Sequence, residues 1–282
     1  MCIRQDITNK IITILESGAS KGGPRWTQSQ GHGLPRNGKT GDSYRGVNVL
    51  LLWAEAAERC YNSNAWLTYK QASAMGGQVR KGEKSVTCVF FDKVKKAGDD
   101  DQEEAFYPMA KPFWLFNVAQ IDGLPEALTD LVEASAFNPV ADAEKVLVNA
   151  GAVIRHGFDG AFYVPSRDEI CLPNQERFTS EVNYYATALH ELGHWTGHES
   201  RLNRIFGKRF GDEVYAMEEL VAELSAAFCM GQLGMVDGTI ENHASYVQSW
   251  IKCLKEDKSA IFTAASQAAK ASDFILASRQ KS

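Results

Sequence analysis

No apolar run in this chain approaches the roughly 20 residues that a membrane-spanning helix needs, so the sequence predicts no membrane partner. The amino terminus, MCIRQDITNKIITILESG, carries acidic and polar residues inside a helical pattern, with neither a clean apolar core nor a cleavage site. That pattern excludes a secretory signal and predicts a cytoplasmic protein. Paired cysteines are missing as well. Cys2, Cys60, Cys88, Cys171, Cys229 and Cys253 are scattered with no C-x-x-C among them, which predicts free thiols, mostly in the core, and no disulfide framework. No internal repeat is evident. Histidine is scarce, yet three of the six histidines in 282 residues fall between positions 190 and 198.

Acidic residues are sparse in one part of the chain. Residues 1–96 hold 7 Asp and Glu against 15 Lys and Arg, whereas residues 97–282 hold 28 against 15, so a formal net charge of −5 conceals a basic first third and an acidic remainder. Such a division predicts different partners for the two parts.

The histidine-rich stretch, Tyr184 to Glu199, contains His190-Glu191-Leu192-Gly193-His194 in a segment that otherwise reads as an amphipathic helix. At i and i+4 the two imidazoles lie one turn apart on one face, the arrangement that grips a single zinc ion (Zn2+). Glu191 sits beside that face, where its carboxylate can act as a base toward a water that zinc makes acidic. Two histidines leave zinc short of protein ligands. The second helical stretch, Tyr215 to Phe228, offers Glu219 and Glu223, again i and i+4, among small residues that let two helices approach. Glu219 is expected as the third ligand and Glu223 as the acid holding the free ring nitrogen of one histidine, with Glu218 as the alternative ligand. His198 extends the histidine series, but Gly197 signals the end of the helix. A third histidine of the metzincin pattern would fall at 200, which is Ser200. Asp212 and Glu213 read as N-terminal acids of the second helix.

Elsewhere the chain predicts an α+β protein. A helix over 3–17 precedes a Gly-, Pro- and Lys/Arg-rich loop from Ser20 to Asp42, then a helix over 47–60. A short strand at Trp66 leads to a helix starting at Thr68, and Gly76–Lys84 reads as a hairpin or tight loop. Ser85–Lys95 and Ala110–Asn117 alternate as partner strands around a charged tip, Lys96–Glu104. Residues 140–150 form a helix, 161–165 and 168–173 short strands, and His243–Ala277 a long helical region in which His243 and Tyr246 are expected to pack. One of the short strands would be an edge able to pair with an extended peptide. The boundaries expected are a small α+β domain over 1–122, a linker over 123–139, and a mainly helical domain with a small sheet over 140–282.

In the basic part, Trp26, Tyr44, Trp66 and Tyr69 lie near Arg25, Arg45, Lys70, Arg80, Lys81 and Lys84. Aromatic faces that stack on bases and cations that follow phosphates are how single strands are bound without sequence preference. The same residues would equally serve as core aromatics and ordinary surface lysines.

Taken together, Pro35-x-Asn37-x-Lys39-Thr40-Gly41, Tyr44-Arg45-Gly46-Val47-Asn48, Trp66-Leu67-Thr68-Tyr69, Gly76-Gly77-Gln78-Val79-Arg80-Lys81-Gly82-Glu83, the His190–His198 stretch and Arg201-Leu-Asn-Arg204 resemble the ArdC-type antirestriction proteins over nearly the whole chain. The resemblance implies a plasmid-borne protein that protects incoming conjugative DNA from restriction. It also implies an N-terminal domain that binds single-stranded DNA, related to one in TraC-type primases, and a C-terminal zincin-like metallopeptidase domain. Lys39 and Asn48 join the expected DNA-binding residues on the strength of those motifs. A host protein would be the peptidase substrate. Two other readings stay open on the sequence: a DNA-binding antirestriction protein with a non-catalytic zinc site, and a zinc peptidase with no nucleic-acid role.

Overall fold

The structure is a computed structural model that describes residues 2–19, 33–95, 106–125, 128, 139–205, 213–235 and 243–277. Arg25, Trp26, the Lys96–Glu104 tip and most of the expected linker lie outside the described residues.

Helix α1 (Ile3–Ala19) turns Ile7, Ile11, Ile14 and Leu15 inward at helical spacing. Helix α2 (Val47–Arg59) starts at Gly46, whose φ of 59° favours a residue without Cβ, and stops at Cys60 in the left-handed region. Its Val49-Leu-Leu-Leu-Trp53 run is buried all round, so α2 is a central helix. The short helix α3 (Tyr69–Ala74) begins with a capping box in which the Thr68 hydroxyl accepts from the Gln71 amide, and the Gln71 side chain accepts from the Thr68 amide.

Around these lies a four-stranded sheet in the order β1 (Arg36–Asn37), β2 (Ala65–Leu67), β5 (Phe106–Asn117), β4 (Val86–Lys95). The β4–β5 ladder pairs Val86 with Leu115 and Cys88 with Phe113, burying one face. Strand β4 is an edge. Asn48 from α2 closes it locally, accepting from the Val89 amide at 2.9 Å and donating to the Val89 carbonyl at 2.7 Å, as a neighbouring strand would. The Gly76–Lys84 segment is not a hairpin: β3 (Gln78–Val79) pairs instead with β6 (Ile121–Asp122), more than 40 residues away in sequence.

The second half opens with α4 (Pro139–Ala150) and a three-stranded sheet, β7 (Val153–His156), β9 (Glu169–Leu172), β8 (Phe162–Val164), with β7 parallel and β8 antiparallel to the central β9. Then come α5 (Glu181–Trp195) and α6 (Glu213–Leu233). The region expected as one long helix is two, α7 (His243–Glu256) and α8 (Ala260–Ala277). Asp257 ends the first, its amide bonding the Cys253 carbonyl, and its carboxylate accepts from the Ser259 amide at the start of the second.

One core joins the two halves. Ile11, Leu50, Trp53 and Leu115 pack in the same buried cluster as Leu220, Phe228, Trp250 and Ile261. At its centre the Trp53 and Phe228 rings stand 6.0 Å apart, and the Trp53 indole nitrogen donates to the Gly33 carbonyl at 3.1 Å, which fixes the ring. A Cβ on Gly231 would lie 2.7 Å from that ring. Gly231→Ala should therefore lower stability by about 1–3 kcal/mol, the usual effect of an overpacked core, read as a fall in melting temperature. The smaller ring of Trp53→Phe should recover part of it, and an unchanged midpoint in the single variant would mean that the ring yields freely.

Candidate metal centre and nucleic-acid surface

The two histidines come from α5, whose N-terminus is capped by Ser180 accepting from the Asn183 amide. Glu218, Glu219 and Glu223 come from α6. The helices cross at Gly193. A Cβ there would stand 2.4 Å from Ser225 Oγ and 2.9 Å from Ala222 Cα, so the position between the two histidines must be glycine for α6 to come this close.

That approach places Glu219 between the imidazoles. His190 Nε2 and His194 Nε2 are 3.2 Å apart, and the Glu219 oxygens lie 3.4 Å from the first and 3.6 Å from the second. Ligand atoms about 2.1 Å from one ion in a tetrahedral array stand roughly 3.4 Å apart, so the spacing suits a single small divalent cation. Two facing ring nitrogens also satisfy each other only if one keeps a proton, which a shared cation removes. Among the described residues His190, His194 and Glu219 form the group able to hold a metal ion.

The far ring nitrogens meet different acids. His194 Nδ1 is 3.4 Å from Glu218, and Glu223 is 3.7 Å from His190 Nδ1, long for a hydrogen bond; that nitrogen has no other partner. Glu223 therefore stands where the spacing of α6 put it, while Glu218 has its own role. It is held by Arg204, whose guanidinium meets its carboxylate at 2.7 and 3.0 Å with both side chains only 6% exposed. Arg204 also donates to the Gly193 carbonyl and to Thr196 Oγ1, tying the end of α5 to α6. Tyr215, one turn before Glu219, bonds its carboxylate and meets the Tyr246 hydroxyl at 3.4 Å. Tyr246 stacks on Trp250, consistent with packing. His198 lies past the helix end and bonds Ser200.

Glu191 is buried beside the cluster and is not one of its three members. Burial raises its pKa, with the two histidines opposing, and the backbone amide of Tyr163 on β8 bonds its carboxylate. Strand β8 is an edge of its sheet. Its turn to β9 is held by Arg201, which donates to Asp168 at 2.9 Å, lies 3.8 Å over the Trp195 ring and donates to the Trp195 carbonyl.

Burial opposes charge on both histidines, but the carboxylates prevail. Glu219 and Glu223 raise His190 to about 10, and Glu218 and Glu219 raise His194 to about 9. Burial likewise opposes charge on Glu219, yet the imidazoles pull it well below its usual range.

The expected DNA-binding residues divide. Trp66 is fully buried at 0% exposure, its edge against Tyr61, so no face is free to stack on a base. The side chain of Asn48 is occupied by Val89. Tyr44 is half-buried and stacks on Phe113. Arg80 is engaged by Glu83, Asp122 and the Ala119 carbonyl, and Arg45 by Asp273. Lys39, Tyr69, Lys70, Lys81 and Lys84 are exposed. The sequence reading missed Trp114, 54% exposed. It is two residues from Phe116, which packs with Leu67 and Ala72 beneath α3, so Trp114 shares the sheet face on which α3 presents Tyr69 and Lys70. Alternation in Lys-Pro-Phe-Trp-Leu-Phe-Asn, with Leu115 inward, is the signal that could have found it.

Residues 141–267 match the zincin-like metallopeptidase family, and residues 1–116 match the N-terminal domain of anti-restriction factor ArdC. Fold and site together define a zincin-like domain joined to an ArdC-type N-terminal domain. The crystal structures of the antirestriction ArdC protein from the R388 plasmid are similar throughout: the metal-free form has a TM-score of 0.83 at 39% identity, covering 99% of this chain and 98% of that one. The Mn(II)-bound form scores 0.81 at 38% identity, covering 100% and 99%. The protein y4eC of Sinorhizobium fredii is 38% identical over 97% of this chain and 91% of its own length. This chain belongs to the ArdC family of antirestriction proteins. A DNA primase TraC of Escherichia coli is 39% identical over 98% of this chain, which spans only 27% of the primase.

The shifts at the cluster make a test in metal-free protein. The raised histidines contribute stability that is complete below their ordinary 6.5 and lost as pH rises through 9 to 10; the lowered Glu219 contributes stability present above its ordinary 4.5 and lost on acidification. Chelator-treated protein should melt highest between pH 4.5 and 6.5 and lose stability toward pH 10. A bound divalent ion takes the imidazoles in neutral form and should abolish the alkaline decline. Identical alkaline limbs with and without metal would remove the cluster from the account.

Proposed function

We propose that this protein is a plasmid-borne antirestriction factor that binds single-stranded DNA through its N-terminal unit, residues 1–122, and cleaves a host protein at a zinc site in residues 140–282. The reading places it in the recipient cytoplasm; among the described residues no helix is long and apolar enough to cross a membrane. The observation that carries the peptidase half is the convergence of His190, His194 and Glu219 with Glu191 beside them.

Two imidazoles and one carboxylate are the donor set of many hydrolytic zinc sites, which favours zinc over a harder ion. When bound, the metal polarises a carbonyl and acidifies a water. The residues of this chain do the rest. Glu191, with its pKa raised by burial, takes the proton from the attacking water and returns it to the leaving amine. Glu218 and Glu223 face the outer nitrogens of the histidines and orient the rings. Edge strand β8, whose Tyr163 amide engages Glu191, presents backbone groups for an extended substrate peptide.

Glu191→Gln should keep one metal ion per chain by elemental analysis while ending peptide release and antirestriction in conjugation assays. Antirestriction that persists in a metal-loaded, peptidase-dead variant would leave the DNA-binding reading with a non-catalytic site.

The DNA half rests on exposed aromatics, Tyr69 and Trp114, and on the exposed Lys39, Lys70, Lys81 and Lys84, which can meet phosphates. Trp114→Ala should weaken single-strand binding by about 1–3 kcal/mol in fluorescence anisotropy without changing the salt dependence, as loss of one stacked base does. Lys70→Gln should instead reduce the salt slope by about one. Absence of any binding at low salt would favour a peptidase without a nucleic-acid role.

A further inference from the structure

A cavity of about 200 Å³ lies at the seam between the two halves, away from the histidine cluster. Its walls come from the Ser43–Gly46 turn and α2 on one side and from α6 and α8 on the other. Its lining is mixed: Leu34, Val49 and Phe228 contribute apolar surface, and Ser43, Tyr44, Gln232 and Ser272 polar groups. The Gln232 amide is only loosely held, 3.4 Å from Ser272 Oγ. At its rim Arg45 forms a two-pronged ion pair with Asp273 in which both side chains are largely exposed.

Several ångström-scale facts narrow what fits. Liquid water occupies about 30 Å³ per molecule, so this is far larger than a packing void, yet it is below the ~300 Å³ at which drug-sized pockets begin. That suits one heterocyclic ring. No strand of the three sheets lines it beyond the turn at Ser43, so an extended peptide finds no backbone ladder there. A ring edge would find donors and acceptors in the Gln232 amide and the hydroxyls, and aromatic surface in Phe228. The rim offers a guanidinium fork now matched to a carboxylate, the geometry that also matches a phosphate.

We propose that this cavity receives one unstacked base of a bound single strand, while Arg45 exchanges Asp273 for the adjoining phosphate. The proposal rests on the single-strand reading above and adds a nucleotide site that the exposed sheet face does not supply. It also places the base against α6. Phe228 and Glu219 lie nine residues apart on that helix, roughly 13 Å along its axis, so an occupied cavity bears on the element that carries the third member of the metal cluster.

The test uses the full chain and a labelled single strand carrying a fluorescent adenine analogue. Arg45→Gln should weaken binding about tenfold and reduce the salt slope by about one, as loss of one phosphate contact does. Asp273→Asn should tighten binding, because it removes the competing carboxylate. Ala269→Trp, which fills the cavity, should abolish the change in analogue emission while the platform around Trp114 keeps part of the affinity. Arg45 and Asp273 are surface residues, so their opposite effects decide the matter even if the filled variant fails to fold. A purely structural ion pair predicts a lower melting temperature in both variants and no change of affinity in either. If the wild type binds and both variants bind as it does, the cavity proposal is overturned and the single-strand reading stands; if the wild type does not bind, both fall.

Discussion

Everything at the metal cluster depends on how close α6 can come to α5. The contact is made where Gly193 faces Ala222 and Ser225, and at that separation no side chain fits on the α5 side. A wider crossing would carry Glu219 away from the imidazoles and leave a two-histidine pair with no third donor. The glycine inside the H-E-x-x-H pattern thus sets the geometry of the site, although it takes no part in its chemistry. The small residues of α6 around Glu223, Ala222, Ser225 and Ala226, are the other half of the same constraint.

Bringing several carboxylates and two histidines into one buried place carries a large desolvation penalty unless each charge is matched. The structure matches them in pairs. Arg204 neutralises Glu218 and grips the Gly193 and Thr196 end of α5, so one buried cation both balances a charge and locks the helix crossing. Arg201 does the corresponding work on the other side, where its contacts with Asp168 and Trp195 fix edge strand β8 next to Glu191. These two arginines, three residues apart after α5, link the sheet, the histidine helix and the glutamate helix.

The two halves of the chain carry opposite charge balances and each has a buried cluster of its own, but the cluster around Trp53 and Phe228 draws on both. Trp53 reaches from α2 into the α6 surface at Gly231, and α1 packs in the same cluster as α7. A surface proposed for DNA and a cluster proposed for metal are therefore parts of one packed body, with α6 touching both the seam and the site. Rigid packing of this kind transmits small displacements.

Much of the candidate site was legible because its signals are local. The i, i+4 spacing of His190 and His194 and of Glu219 and Glu223 follows from helical period alone, and Gly197 marks where α5 stops; the Ser180 cap at its start was not read from the sequence. The same holds for α2, for the Thr68 cap and for the β4–β5 pairing, each set by alternation or capping within a short window. What tertiary structure decided involves residues far apart in sequence. Whether Trp66 or Trp114 faces solvent depends on which sheet face α3 and the core cover; the first proved buried and the second exposed. Asn48 looked free until β4 supplied a backbone edge for it. Gln78–Val79 paired with Ile121–Asp122 because strand partners are chosen by folding and not by neighbourhood. Of the adjacent Glu218 and Glu219, Arg204 grips the first, which faces His194 Nδ1, while the second lies between the two Nε2 atoms. Sequence determined which residues could do the chemistry; only the packing of distant helices determined which of them meet.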